Sequence, residues 1–137
     1  MMSAMDAVRT IELPRINSPT GSITPVAGGD QVPFEIRRIY FLYDIVSGAH
    51  RGGHAHWELE QVYVAVMGAF RVVLDDGRER RTVELNQPAV GLFLPKLIWR
   101  ELVDFASGTI CLVLASLPYD EAEYIRSYDD FLEVATR

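Results

Sequence analysis

The chain is poor in the residues that most often build metal and redox sites. It has one cysteine and three histidines in 137 residues. A single thiol forms no internal disulfide and no thiolate cluster for zinc. Cys111 also lies inside an apolar run, 109–115, which marks it as a buried structural residue rather than a nucleophile. Positive charge is scarce as well. Thirteen Lys and Arg stand against nineteen Asp and Glu, for a net charge of -6. That balance lacks the basic stripe that nucleic-acid backbones require, although a local arginine cluster can still hold an anionic small molecule. No apolar run approaches the length of a membrane span, and the N-terminus lacks the apolar core of a signal peptide. The expectation is a cytoplasmic protein without membrane or nucleic-acid partners.

What the chain does have is apolar content of 49%, enough for a packed core, at a length that suits one domain over 1–137. Short runs rich in β-branched and aromatic residues recur between turn residues. They predict strands at 8–14, 22–27, 36–45, 50–58, 61–67, 70–74, 80–85, 90–94, 98–105 and 109–117. Asn17, Ser18, Pro19 and Gly21 read as a turn, and Asp76-Gly77 as a tight hairpin. Residues 1–7 read as a frayed start, 120–126 as one or two helical turns, and 128–132 as a second short helical piece. Many short strands at even spacing, with no room for βαβ crossovers, specify an all-β antiparallel barrel or sandwich.

The chemistry concentrates at His54-Ala55-His56, followed by Gln61 and Gly68. Residues two apart on a strand point the same way, so both imidazoles can enter one cavity. The spacing is that of the metal motif of small cupin barrels, where the position of Gln61 carries a glutamate ligand. The segment 95–101 also lacks the further histidine of such sites, the third histidine being His50. Two imidazoles and a neutral amide make a poor divalent-metal set, so acid–base chemistry without metal or cofactor is the better expectation. An imidazole near its ordinary pKa both takes and gives a proton near neutrality.

Arg37, Arg38, Arg51, Arg71 and Arg100 sit in or beside predicted strands. Arginine facing a barrel interior is costly unless it meets an anion, and its planar fork matches phosphate oxygens. Alternation puts Arg38 and Tyr40 on one face, the candidate cavity wall, and Ile39, Phe41 and Tyr43 on the other. Trp99 and Glu101 share a face of a later strand; the first can stack on a base or sugar, the second can meet a hydroxyl or orient a histidine.

Several stretches together resemble one family. They are Val32-Pro33-Phe34-Glu35-Ile36-Arg37-Arg38-Ile39-Tyr40, Arg51-Gly52-Gly53-His54-Ala55-His56, Val73-Leu74-Asp75-Asp76-Gly77, Trp99-Arg100-Glu101-Leu102 and Leu114-Ala115-Ser116-Leu117-Pro118-Tyr119-Asp120-Glu121. Tyr124-Ile125-Arg126 and Tyr128-Asp129 extend the likeness. They are similar to the nucleotide-sugar 3,4-ketoisomerases, over about residues 11–132. The resemblance implies a metal-free RmlC-like cupin jelly roll, a homodimer, and action on dTDP-4-keto-6-deoxyglucose. The keto group would move from C4 to C3 through an enediol, supplying 3-amino-3,6-dideoxy sugars for glycans such as O-antigen. His54 and His56 match the family's paired histidines. The expected substrate contacts are Arg38, Tyr40, Arg51, Gln61, Arg71, Trp99 and Glu101, with the arginines on the diphosphate and Trp99 on the thymine or sugar. The motif serves products of either C4 configuration. The alternatives are a dTDP-sugar 3,5-epimerase, a small metallocupin dioxygenase and a non-catalytic nucleotide-sugar-binding cupin.

Overall fold

A computed structural model describes residues 3–136. Two five-stranded antiparallel sheets face each other as a jelly roll. The first sheet runs β1 (Arg9–Glu12), β9 (Val90–Leu94), β6 (Gln61–Met67), β11 (Ile110–Ala115), β4 (Arg38–Leu42). The second runs β12 (Tyr124–Ile125), β5 (Arg51–His56), β10 (Trp99–Val103), β7 (Phe70–Asp75), β8 (Arg80–Leu85). A separate hairpin pairs β2 (Ile16–Ser18) with β3 (Gly21–Ile23). The expected all-β antiparallel architecture is therefore present, with most strand limits within two or three residues of the sequence expectation.

Alternation decides what lies between the sheets. Tyr63, Ala65, Val72, Leu74, Leu85, Leu92, Leu94, Leu102, Cys111 and Val113 point inward and form the main core. Burial pushes the Cys111 thiol up to about 12, which suits an inert packing residue. The β7–β8 hairpin closes where Asp76-Gly77 was expected, and Asp76 accepts from the backbone N–H groups of Arg78 and Glu79. Two smaller apolar clusters cover the outer faces. One holds Leu13, Val32, Val62, Val64, Phe93 and Leu114. The other packs α2 (Tyr128–Ala135) against Ala55 and Trp99 through Phe131.

Three expectations are corrected. The start of the chain is not frayed where it is described, because α1 (Ala4–Ala7) inserts Met5, fully buried, into the main core; residues 1–2 lie outside the described residues. The segment at 17–21 is not only a turn: Ile16–Ser18 pairs with Gly21–Ile23 across it. The segment 120–126 holds a single 3-10 turn, Glu121–Glu123, and then adds a strand, β12, to the edge of β5.

Candidate active site

Beside the main apolar core the two sheets leave a cavity of about 600 Å³. β4 contributes Arg38, Tyr40 and Leu42 to its wall, β6 contributes Tyr63 and β11 Val113. β5 contributes Arg51, Gly52 and His54. The segment after β11 closes the mouth with Tyr119, Tyr124 and Arg126.

A β-bulge sets the phase of β5. His54 pairs with Arg100 but Gly52 pairs with Glu101, so Gly53 is the extra residue. Arg51 and His54 are three apart, yet both face the cavity. Strict alternation would have turned one of them outward. The bulge needs φ of +80° at Gly52 and +69° at Gly53. A Cβ at Gly52 would also stand 3.0 Å from the Arg100 carbonyl oxygen. The Gly-Gly pair is thus a geometric requirement of the site.

Beyond the bulge His54 and His56 point the same way, their ring centroids 4.8 Å apart and nearly perpendicular. The Tyr124 ring completes a triangle, 5.0 Å from His54 and 4.5 Å from His56. His54 borders the cavity, and His56 is fully buried behind it. The strand end carrying His56 is pinned by the Leu97 N–H on the His56 carbonyl (2.9 Å). The Trp57 N–H on the Glu123 carbonyl (3.2 Å) and Glu123 Oε1 on the Glu58 and Leu59 N–H groups hold the turn beyond it. Burial, reinforced by the nearby Arg100 charge, lowers His54 to about 3 and His56 to about 2. The Gly52 and Glu123 carbonyls oppose the shift weakly. None of the four ring nitrogens closes a well-formed hydrogen bond among the described residues. The resting imidazoles are therefore neutral bases, not the half-protonated pair that an ordinary histidine pKa suggests.

Around the histidines the cavity is cationic. Arg38 lies over the Tyr40 ring at 4.8 Å and donates Nη2 to Tyr124 Oη (3.3 Å), while its buried Nε and Nη1 have no partner. Arg51 stands exposed at the mouth. Arg126 stacks on Tyr124 at 4.3 Å and is held by Glu121 (2.6 and 3.0 Å). Three guanidiniums around one opening form an anion cradle suited to a diphosphate. Among the described residues no three His, Cys, Asp or Glu side chains come together as a metal site.

The structure brings His54, His56, Arg38, Tyr40 and Arg51 together and separates the other expected contacts. Trp99 and Glu101 do share a face, but it is the outer one. Trp99 packs against Tyr128 and Phe131 under α2, and the residue between them, Arg100, is the one that points in. Arg71 lies on an outer face, 54% exposed and 3.7 Å from Asp104. Gln61 is fully buried and bonded to Tyr40, Tyr63 and Arg100 rather than presented to a ligand. The expected substrate contacts did not include Arg100, Tyr63, Tyr119, Tyr124 or Arg126, although Arg100 was noted among the strand arginines and Tyr119, Tyr124 and Arg126 among the stretches that carry the resemblance. The available signal for Arg100 was a charge in a run otherwise fit for burial. The place of Tyr124 and Arg126 at the cavity was missed because their segment read as helical.

Comparison with known proteins gives a consistent result. The family model FdtA, described as WxcM-like, C-terminal, matches residues 6–136. A curated TDP-4-oxo-6-deoxy-alpha-D-glucose-3,4-oxoisomerase from Aneurinibacillus thermoaerophilus is 42% identical over 123 residues, covering 90% of this chain and 88% of the relative. The crystal structure of a 3,4-ketoisomerase from Helicobacter canadensis is 42% identical with a TM-score of 0.93, covering 96% of this chain and 98% of that one. A His-to-Asn mutant of the 3,4-ketoisomerase QdtA from Thermoanaerobacterium thermosaccharolyticum, in complex with TDP-4-keto-6-deoxyglucose, is 38% identical with a TM-score of 0.92, covering 94% of each chain.

Proposed function

Because the chain belongs to the FdtA family, we propose that it is a dTDP-sugar 3,4-ketoisomerase acting on dTDP-4-keto-6-deoxyglucose. The observation that carries this reading is the pair of neutral, unpartnered imidazoles beside an arginine-lined cavity. The 4-carbonyl acidifies the proton on C3. His54, which borders the cavity, removes it, and an enediolate forms across C3 and C4. A proton returns to C4, and the hydroxyl proton moves from O3 to O4, leaving the carbonyl at C3. The net change is an internal shift of two hydrogens. His56, edge-on to both His54 and Tyr124, relays the oxygen proton. Arg38, Arg51 and Arg126 hold the diphosphate.

The protein acts as a homodimer in this reading. Ile39 and Phe41 on the outer face of β4, and Tyr43 just past its end, are 59%, 56% and 60% exposed, a run of large apolar side chains along an edge strand. Sedimentation of Phe41→Glu tests this: the wild type runs as a dimer and the variant as a monomer.

The activity is tested by proton NMR of dTDP-4-keto-6-deoxyglucose in D2O with EDTA. The expected result is a 3-keto sugar carrying deuterium at C4. Label at C3 or C5 with the C4 ketone retained would point to an epimerase, and binding without conversion to a non-catalytic module.

A further inference from the structure

Most of the cavity wall is charged or aromatic, but one part of it is aliphatic. Leu42, Leu102 and Val113 line it together, and all three are continuous with the main core. Strand register fixes where they stand relative to the histidines. Arg100 pairs with His54, and the next inward residue of β10, Leu102, pairs with Arg51. Leu42 likewise follows Tyr40 on the inner face of β4. Alternate residues of a strand are about 7 Å apart, so the aliphatic patch begins one step from His54. Val113, paired with both Tyr40 and Tyr63, joins the two levels. Leu102 and Val113 are buried and Leu42 is half-buried, which makes the patch a floor rather than a rim. Behind it lie Cys111 and Ala65, paired across β11 and β6 and both fully buried.

The floor has no free polar group of its own. The nearest in register is the Tyr63 hydroxyl, which donates to Gln61 Oε1 (2.9 Å) and accepts from Arg100 Nη1 (3.1 Å). His50 and Arg51 also border the cavity, but both are exposed. In a nucleotide sugar the diphosphate stands between base and sugar. With the diphosphate on the guanidiniums at the mouth and C3 and C4 at His54, the nucleoside points outward and the sugar occupies the depth. C6 is the one sugar carbon that bears no oxygen in a 6-deoxyhexose, and only C5 separates it from the C4 carbonyl. Resting on the ketoisomerase reading above, we propose that Leu42, Leu102 and Val113 are specificity-determining residues that receive the 6-methyl group of the sugar and reject a 6-hydroxyl. A hydroxyl set on this floor gives up its water and gains no partner, whereas a methyl loses nothing there.

The test compares two nucleotide sugars that carry a hydroxyl in place of the C4 ketone and so do not react, dTDP-6-deoxyglucose and dTDP-glucose. They differ only at C6. Calorimetric titration of the wild type is expected to give a dissociation constant about 10- to 100-fold lower for the 6-deoxy sugar. Val113→Thr is nearly isosteric and puts a hydroxyl into the floor. It should bring that ratio below about threefold, while dTDP, which has no sugar to place there, binds as before. Leu42→Asn, at a half-buried position, repeats the test if the threonine variant does not fold. A wild-type ratio within about twofold, or a folded variant that keeps the wild-type ratio, would overturn the assignment and leave the isomerase reading intact. A variant that instead changes the ratio of dTDP to dUDP affinity would overturn it by giving the floor to the thymine methyl. Because neither sugar reacts, the preference is read apart from turnover. A wild type that shows it without converting the keto sugar would overturn the isomerase reading and leave the floor assignment standing.

Discussion

Two neutral buried histidines make the fold acid-sensitive in a way that can be worked out. In the unfolded chain each imidazole titrates near its ordinary value of 6.5, whereas in the folded protein it stays unprotonated down to about 3 at His54 and about 2 at His56. Between those limits the unfolded state binds more protons, so stability rises with pH and falls as the solution is acidified below 6.5. Each imidazole contributes about 1.4 kcal/mol per pH unit in that window, so lowering the pH from about 7 to about 5 costs about 2 kcal/mol per ring. Hydration of the open cavity reduces this, leaving about 2 to 4 kcal/mol for the pair. The charges that face the rings come from every neighbouring element: Arg100 from β10, Arg38 from β4, and Arg126 and Glu121 from the C-terminal segment. The assay is urea unfolding across this pH range, comparing the wild type with the double variant His54→Asn/His56→Asn, in which nothing titrates at those positions. Carboxylates contribute equally to both proteins, so the difference in slope isolates the histidines. Equal slopes would refute the neutral-pair argument. On the kinetic side the acid limb of kcat/KM belongs well below the ordinary histidine value, and a limb centred near 6.5 would contradict the buried geometry in the same way.

Replacing His54 alone by Asn should leave a folded protein without measurable turnover; a folded variant near the wild-type rate would remove His54 from the chemistry. Arg38→Ala should weaken dTDP binding by about 10- to 100-fold, since it removes a partly buried charge-assisted fork, and calorimetric titration with dTDP would expose an unchanged affinity. Trp99→Ala should cost about 3 to 5 kcal/mol of stability by emptying the space under α2, yet leave dTDP affinity unaltered. Loss of nucleotide binding by folded Trp99→Ala would return Trp99 to the substrate site.

Legibility in the sequence followed alternation and failed where alternation was interrupted. β6, β8 and β9 have the limits the pattern predicts, because each is a clean run bounded by turn residues. Arg38 and Tyr40 were placed on the cavity wall by period two alone, and β4 keeps that phase throughout. In β10 the same rule paired Trp99 with Glu101, but the sign of the face was invisible. Tryptophan is apolar enough to imply an interior position, and only the later α2 makes the outer face of that strand buried too. Choosing Trp99 and Glu101 therefore excluded Arg100, whose side chain reaches Gln61 and Tyr63. Arg51 was selected for its charge, but the bulge at Gly53 is what lets it share a face with His54. Tyr124 and Arg126 come from a two-residue strand too short to carry any periodicity, formed by pairing with Ala55 and His56 nearly seventy positions earlier. Such pairing is a tertiary event, and its signal is distributed over both partners. The paired histidines were legible because one strand carries both; Arg100, Tyr124 and Arg126 were not, because their place beside the histidines depends on how β10 and β12 pair with β5.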